Sequence, residues 1–240
     1  MKLPDFDRAA LLLDLDGTLL DIAPTPDSVV VPPLLLTNLT TLRTKLGGAL
    51  AVISGRPVEQ VDFLLRAIPT AVSGEHGGAI RHAPHADIER PNLPSAPAAW
   101  LAAVERLHAA HPGTLLERKA RGFVLHYRLA PDAGGAIHAA LAPLAAERPK
   151  EFVLMAAHMA WEIRPRGADK GSAVRQIMAR PPFAGRLPIF IGDDVTDRDA
   201  MAAAEARGGI GLFVPDVFTD AAGVRAWLAR AAQAGDLHLA

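Results

Sequence analysis

Four stretches of the sequence carry residue types whose spacing suits chemistry. The first is Asp14-Leu15-Asp16-Gly17-Thr18-Leu19, which closes the apolar run 10–15. On an extended strand, residues two apart share a side, so Asp14 and Asp16 are expected together. Two carboxylates that close repel, and a divalent cation neutralises them. With oxygen donors alone and no Cys in the chain, Mg2+ suits such a site better than zinc. Gly17 permits a sharp turn or a close backbone approach to a ligand. A strand end or a helix cap also accounts for one Asp, but not for the pair with Gly-Thr behind it.

The second stretch, Gly192-Asp193-Asp194-Val195-Thr196-Asp197-Arg198-Asp199, sets four acids within seven residues after another apolar run. Acids favour helix starts, and capping accounts for one or two of them. The rest repel unless a cation is near, and Asp193 would reach the same metal as Asp14 if the two strands are neighbours. The third, Ser54-Gly55-Arg56-Pro57, puts a hydroxyl and free backbone N–H groups ahead of a helix, which is either an anion site or a plain N-cap. The fourth is Lys170, which opens a helix after Gly167-Ala168-Asp169. A cation there opposes the helix dipole, so a phosphate contact is one reason for it and a solvated lysine is the other. Together the four supply carboxylates, a hydroxyl and a lysine. These are the parts of a phosphoryl-transfer site, where positioning and charge neutralisation dominate and an Asp can act as nucleophile.

Composition narrows the field. In 240 residues there are 25 Lys and Arg against 26 Asp and Glu, a net charge of -1, and no Cys. The absent Cys excludes a disulfide scaffold, thiolate zinc and a cysteine nucleophile. The near-neutral charge argues against nucleic acid as the main partner. No apolar run approaches the roughly 20 residues of a membrane span. The start of the chain lacks a signal-type apolar stretch, so a cytoplasmic protein without a membrane partner is expected. Oligomeric state is left open, a monomer being compatible.

The elements that must position these residues follow an alternating pattern. Apolar runs at 10–15, 49–53, 70–73, 187–191 and 209–214 read as buried strands, with helical spacing at 34–46, 58–68, 170–180, 197–207 and 220–234. Strands alternating with helices imply right-handed crossovers and a parallel sheet. Ligands of such sheets bind beyond the carboxyl ends of the strands, and each of the four stretches falls at the end of a predicted core strand or the start of the next helix. Between the two halves the texture changes. Residues 84–97 read as a loop, 98–110 and 133–147 as helices, and 114–119 with 122–129 and 152–156 with 160–163 as strand pairs. The expected layout is an α/β Rossmann-like core over 1–80 and 165–240, interrupted by an α+β unit over 81–164.

The motifs Asp14-Leu15-Asp16-Gly17-Thr18, Ser54, Lys170 and Gly192-Asp193-Asp194 with Asp197 resemble, in order, the four motifs of the haloacid dehalogenase superfamily. Further stretches resemble its trehalose-6-phosphate phosphatase family. They are 14–26, Ser54 to Pro57, Gly74-Glu75-His76-Gly77, Glu117 with Lys119, His126-Tyr127-Arg128, Glu162-Ile163-Arg164-Pro165 and 192–201. The resemblance implies Asp14 as nucleophile and Asp16 as general acid and then base. It implies Mg2+ held by Asp14, the backbone carbonyl of Asp16 and Asp193, with Asp197 orienting the metal's waters. Thr18, Ser54 and Lys170 are implied to bind the phosphoryl group. The inserted unit is implied to be a mobile cap in which Glu117, Lys119, Arg128 and Glu162 bind sugar hydroxyls, with His76 a further contact. From the residues alone, Glu117 with Lys119 also fits a surface pair, and Arg128 with Glu162 a structural ion pair.

The reading that results is Mg2+-dependent hydrolysis of trehalose 6-phosphate, a small-molecule sugar phosphate. Two alternatives remain at this point: a sucrose phosphate or mannosyl-phosphoglycerate phosphatase of the same superfamily, and an inactive sugar-phosphate-binding domain. The paired Asp14 and Asp16 speak against the second, because binding alone needs no acid–base group. A dinucleotide-binding domain is disfavoured, since no glycine-rich fingerprint follows a predicted strand.

Overall fold

The protein is described from a computed structural model that covers residues 3–23, 25, 28–119, 121–157 and 159–239. Pro24 and Pro26 of the motif stretch 14–26 lie outside the described residues. In chain order the elements are β1 (Ala9–Leu13), α1 (Pro33–Lys45), β2 (Leu50–Ile53), α2 (Val58–Leu65), β3 (Ala71–Gly74), β4 (Ala79–Arg81), β5 (Ile88–Glu89), α3 (Ala98–Ala110), β6 (Leu115–Arg118) and β7 (Phe123–His126). They continue with α4 (Gly134–Glu147), β8 (Phe152–Ala157), β9 (Ala160–Pro165), α5 (Lys170–Ile177), β10 (Leu187–Gly192), α6 (Arg198–Glu205), β11 (Ile210–Phe213), α7 (Val214–Val217) and α8 (Ala221–Gln233). Among the described residues, no helix is long and apolar enough to cross a membrane.

The chain divides into two compact units, Met1–Arg90 with Asp169–Ala240, and Pro91–Ala168. The first is α/β. Its sheet runs β11-β10-β1-β2-β3-β4-β5, with β11 through β3 parallel and β4 antiparallel to both of its neighbours, β3 and β5. The continuous apolar runs of β1 and β2 are buried along their whole length, as strands covered on both faces must be. Strand β1 lies between β10 and β2, with Leu13 level with Ile191 on one side and Val52 on the other. The residues after those three strands, beginning Asp14, Asp193 and Ser54, therefore emerge side by side. That adjacency is what the topology contributes to chemistry.

The second unit is a four-stranded antiparallel sheet, β6-β7-β9-β8, whose apolar face packs on α3 and α4. Phe123, Leu125, Phe152 and Ile163 form its buried face, with Trp100 edge-on to Phe152 at 5.1 Å between ring centres. The units part at 90/91 and 168/169, whereas the sequence pattern suggested 80/81 and 164/165. The difference at the first junction has a local cause. Within the stretch 84–97, which the sequence reads as a loop, Ile88 and Glu89 pair with Arg81 and Ile80 and so stay with the first sheet.

Candidate functional site

The turn after β1 is built around Gly17. Its φ of +84° is a conformation L side chains rarely adopt, and its amide donates to the Leu20 carbonyl at 2.7 Å. A Cβ at Gly17 would lie 2.1 Å from Asp193 Oδ2, so only glycine lets the 193 loop approach the 14–18 turn. Thr18, fully buried, donates its hydroxyl to Asp193 Oδ1 at 3.0 Å. Gly192 plays the same part on β10, where a Cβ would sit 2.4 Å from Asp197 Cγ.

Lys170 is at the centre of the site. Its Nζ donates to Asp14 Oδ1 and to Asp197 Oδ1, each at 2.6 Å, and the three side chains are only 3%, 6% and 0% exposed. Asp169 caps α5 through a capping box with Ser172, so the backbone needs no help from Lys170. Burial alone would lower the Lys170 pKa, but the charges and hydrogen bonds of Asp14 and Asp197 more than offset it and hold the ammonium protonated. Asp197 has both oxygens occupied, since its Oδ2 accepts the amides of Asp193 and Asp194 at 3.0 Å each. Burial, and then the charge of Asp197, push the Asp14 carboxyl well above the usual range in spite of Lys170. Burial also raises Asp193, with the Thr18 hydrogen bond working against it.

Carboxylate oxygens of Asp14, Asp193 and Asp197 lie within 4.8 Å of one another. Three carboxylates face one ammonium, and two of them are held above their ordinary range. Such a site is short of positive charge, and its donors are all hard oxygens. That set fits Mg2+.

Asp16 departs from the simple expectation. Strand β1 ends at Leu13, so alternation along a strand does not govern residues 14–16. The Asp16 carboxylate is not among the clustered acids. It faces Arg56, accepting Nε on Oδ2 at 2.6 Å and Nη2 on Oδ1 at 2.7 Å. The acid-rich stretch also divides. Asp194 and Asp199 are exposed, and Asp194 accepts the Val195 amide as a helix cap, so capping accounts for it and only Asp193 and Asp197 face the cluster.

Ser54 is buried beyond β2, and its Oγ accepts the Arg56 amide at 3.2 Å. That leaves its hydroxyl hydrogen to be donated elsewhere. His76 follows β3 in a turn where Glu75 and His76 both have positive φ, +54° and +53°. Its amide donates to the Ser54 carbonyl at 3.0 Å, and its ring fills the space a side chain at Gly55 would need.

In the second unit, Glu117 and Glu162 occupy one cross-strand row through Val124. Lys119 Nζ lies 3.6 Å from Glu162 Oε1 and 3.8 Å from Glu117 Oε1, and His126 Nε2 is 3.0 Å from Glu117 Oε2. Arg128 is exposed past the end of β7. Trp161 turns to the packed side, where its indole N–H donates to the Gly134 carbonyl. Sequence reasoning gave no role to Arg56 or His126, although both stand inside motifs it singled out. For Arg56 the signal was present. A cation ahead of a helix start is the same oddity that drew attention to Lys170.

The trehalose-phosphatase family profile matches residues 12–226. A Sinorhizobium fredii protein named "Probable trehalose-phosphate phosphatase" is 38% identical over 218 residues, which is 87% of this chain and 78% of that one. The trehalose-6-phosphate phosphatase of Escherichia coli is 38% identical over 208 residues, 85% of this chain and 77% of that one. Among solved structures, the C-terminal domain of C. albicans trehalose-6-phosphate phosphatase shares the fold, with a TM-score of 0.77 at 20% identity over 95% of this chain and 93% of that one.

Proposed function

Because the chain belongs to the trehalose-phosphatase family, we propose that it hydrolyses trehalose 6-phosphate to trehalose and phosphate through an aspartyl-phosphate on Asp14, with Mg2+ bound. The observation that carries this reading is the buried contact of Lys170 with Asp14 and Asp197, beside Asp193. Lys170 occupies Asp14 Oδ1, which leaves Oδ2 to attack phosphorus. The bond from phosphorus to the sugar oxygen breaks, and Asp16 gives that oxygen a proton. Asp16 then takes a proton from water, the water oxygen attacks phosphorus, and Asp14 leaves as a carboxylate. Ser54 and Lys170 hold the phosphoryl oxygens, Ser54 through the hydrogen that its contact with Arg56 leaves available, and Thr18 joins them when its hydroxyl turns from Asp193 to the phosphoryl group. Asp14, Asp193 and the backbone carbonyl of Asp16 would hold Mg2+, with Asp197 behind them. The ion, when bound, supplies positive charge opposite the phosphoryl oxygens. Glu117, Lys119, Arg128 and Glu162, with His76, read the sugar hydroxyls.

The test is phosphate release from trehalose 6-phosphate, sucrose 6-phosphate, glucose 6-phosphate and an aryl phosphate, with Mg2+ and with chelator. Asp14→Asn is expected to abolish release, and retained activity overturns the nucleophile assignment. A preference for sucrose or hexose phosphate overturns the sugar specificity. Glu162→Ala is expected to weaken turnover of trehalose 6-phosphate and spare the aryl phosphate. An equal loss on both marks Glu162 as structural.

A further inference from the structure

We propose that Arg56 is a positioning residue that aims the Asp16 carboxylate for the water-activating half of the reaction, an inference that rests on the acid–base reading of Asp16. The backbone at Asp16 is fixed by its bridge to Leu20 and by the Gly17 turn. Its side chain is 34% exposed, and backbone contacts alone leave its two torsions free. The Arg56 fork removes that freedom, because two parallel N–H···O bonds set both the direction and the plane of a carboxylate. Each oxygen keeps a further lone pair, so a carboxylate held in this way can still accept a proton from water.

Arg56 is itself held firmly and is only 11% exposed. Its carbonyl accepts the Glu75 amide at 3.0 Å, while the neighbouring Ser54 carbonyl accepts the His76 amide. The 74–76 turn is pressed against the 54–56 loop. A Cβ at Gly74 would lie 2.6 Å from the Arg56 carbonyl oxygen, and one at Gly55 2.5 Å from His76 Nε2. Making that contact puts two non-glycine residues at positive φ, a conformation that persists only where the surroundings enforce it. Stability is a poor reason for the arrangement. An ion pair with one partner a third exposed is screened by water and adds little to stability. A geometric requirement on Asp16 accounts for both the fork and the strained turn that braces it.

In the step concerned, the water O–H bond breaks and its proton goes to Asp16. The water oxygen forms a bond to phosphorus, the bond from phosphorus to Asp14 breaks, and its electron pair stays on Asp14. A chromogenic aryl phosphate isolates this step, because an aryl oxide leaves without needing a proton. Arg56→Ala is expected to give a burst of aryl oxide approaching one per enzyme, followed by steady turnover lowered roughly 10–100-fold. Arg56→Lys keeps the charge without the fork and is expected to recover only part of the rate. Added to Asp16→Asn, Arg56→Ala is expected to cause no further loss, and inhibition by orthophosphate is expected to stay unchanged. Parent-like turnover without a burst overturns the inference, as does a loss in the Asp16→Asn background equal to that in the parent. Weakened orthophosphate inhibition overturns it too, by making Arg56 a phosphate ligand. If Asp16→Asn is itself as active as the parent, the reading of Asp16 fails, which is a separate result.

Discussion

Replacing Lys170 with Met tests the electrostatics of the site directly. Met nearly conserves the volume, so the change is chiefly one of charge. The ammonium lies 2.6 Å from a carboxylate oxygen of both Asp14 and Asp197, and all three groups are buried, so water cannot take its place. Breaking a buried ion pair by removing one partner costs about 3–5 kcal/mol. For a chain of this size each kcal/mol lowers the melting temperature by about 2–4 °C, so at 3 kcal/mol the fall is about 6–12 °C at pH 7 in chelator. The loss has a definite pH sign. The folded Asp14 carboxyl already sits well above its ordinary range, and without Lys170 it rises further. A carboxyl raised on folding costs stability as pH climbs from its unfolded value through its folded one. The deficit of the variant is therefore expected to be small near pH 4–5 and to widen toward neutral pH. Millimolar Mg2+ is expected to restore part of it, by about 2.7 kcal/mol at 100 times its dissociation constant. Adding Asp197→Asn is expected to recover stability as well. Urea denaturation followed by circular dichroism at pH 5 and 7 reads these outcomes. A Lys170→Met protein within about 1 kcal/mol of the parent at pH 7, or a deficit independent of pH, refutes the reasoning.

Gly17→Ala is expected to lose phosphatase activity by about 100-fold or more, because its Cβ would displace Asp193, and to cost about 1–2 kcal/mol through its positive φ; parent-like turnover shows that the 193 loop can shift at no cost. His82 is lowered from its ordinary value by burial, with Arg180 adding and Glu89 opposing. Below about pH 6.5 the unfolded chain binds a proton that the folded one resists, so stability falls. His82→Gln is expected to flatten that acid-side slope in denaturation curves, and an unchanged slope assigns it to other groups. Phe152→Ala removes a ring that is 1% exposed and packed on Trp100, at an expected cost of about 3–5 kcal/mol. Amide exchange is expected to accelerate in residues 91–168, and uniform acceleration across the chain shows instead that the two units unfold together.

Much of the fold was legible because β1, β2 and β10 are short apolar runs that end just before a polar residue, Asp14, Ser54 and Asp193. The first junction between the units lies ten residues later than the pattern suggested, because β5 has only two residues, too few for any period to register. Asp14, Ser54, Lys170 and Asp193 stood out by residue type at the ends of strands or the start of a helix. The pairing of Asp16 with Arg56 did not, because it joins turns 40 residues apart in the chain.

Alone, the sequence determined which residues were available and on which strand ends they stand. Runs of buried side chains and the punctuation of Gly, Pro and Asp act locally, over a few residues, and local patterns can be read from a linear string. Only the tertiary structure decided which charges meet. Lys170 between Asp14 and Asp197, Asp193 in the place that Gly17 leaves open, and Asp194 and Asp199 in solvent follow from β1 lying between β10 and β2. Strand order sets which distant residues lose their water together. Desolvation, more than residue type, separates acids that share a buried site from acids that cap a helix in solvent.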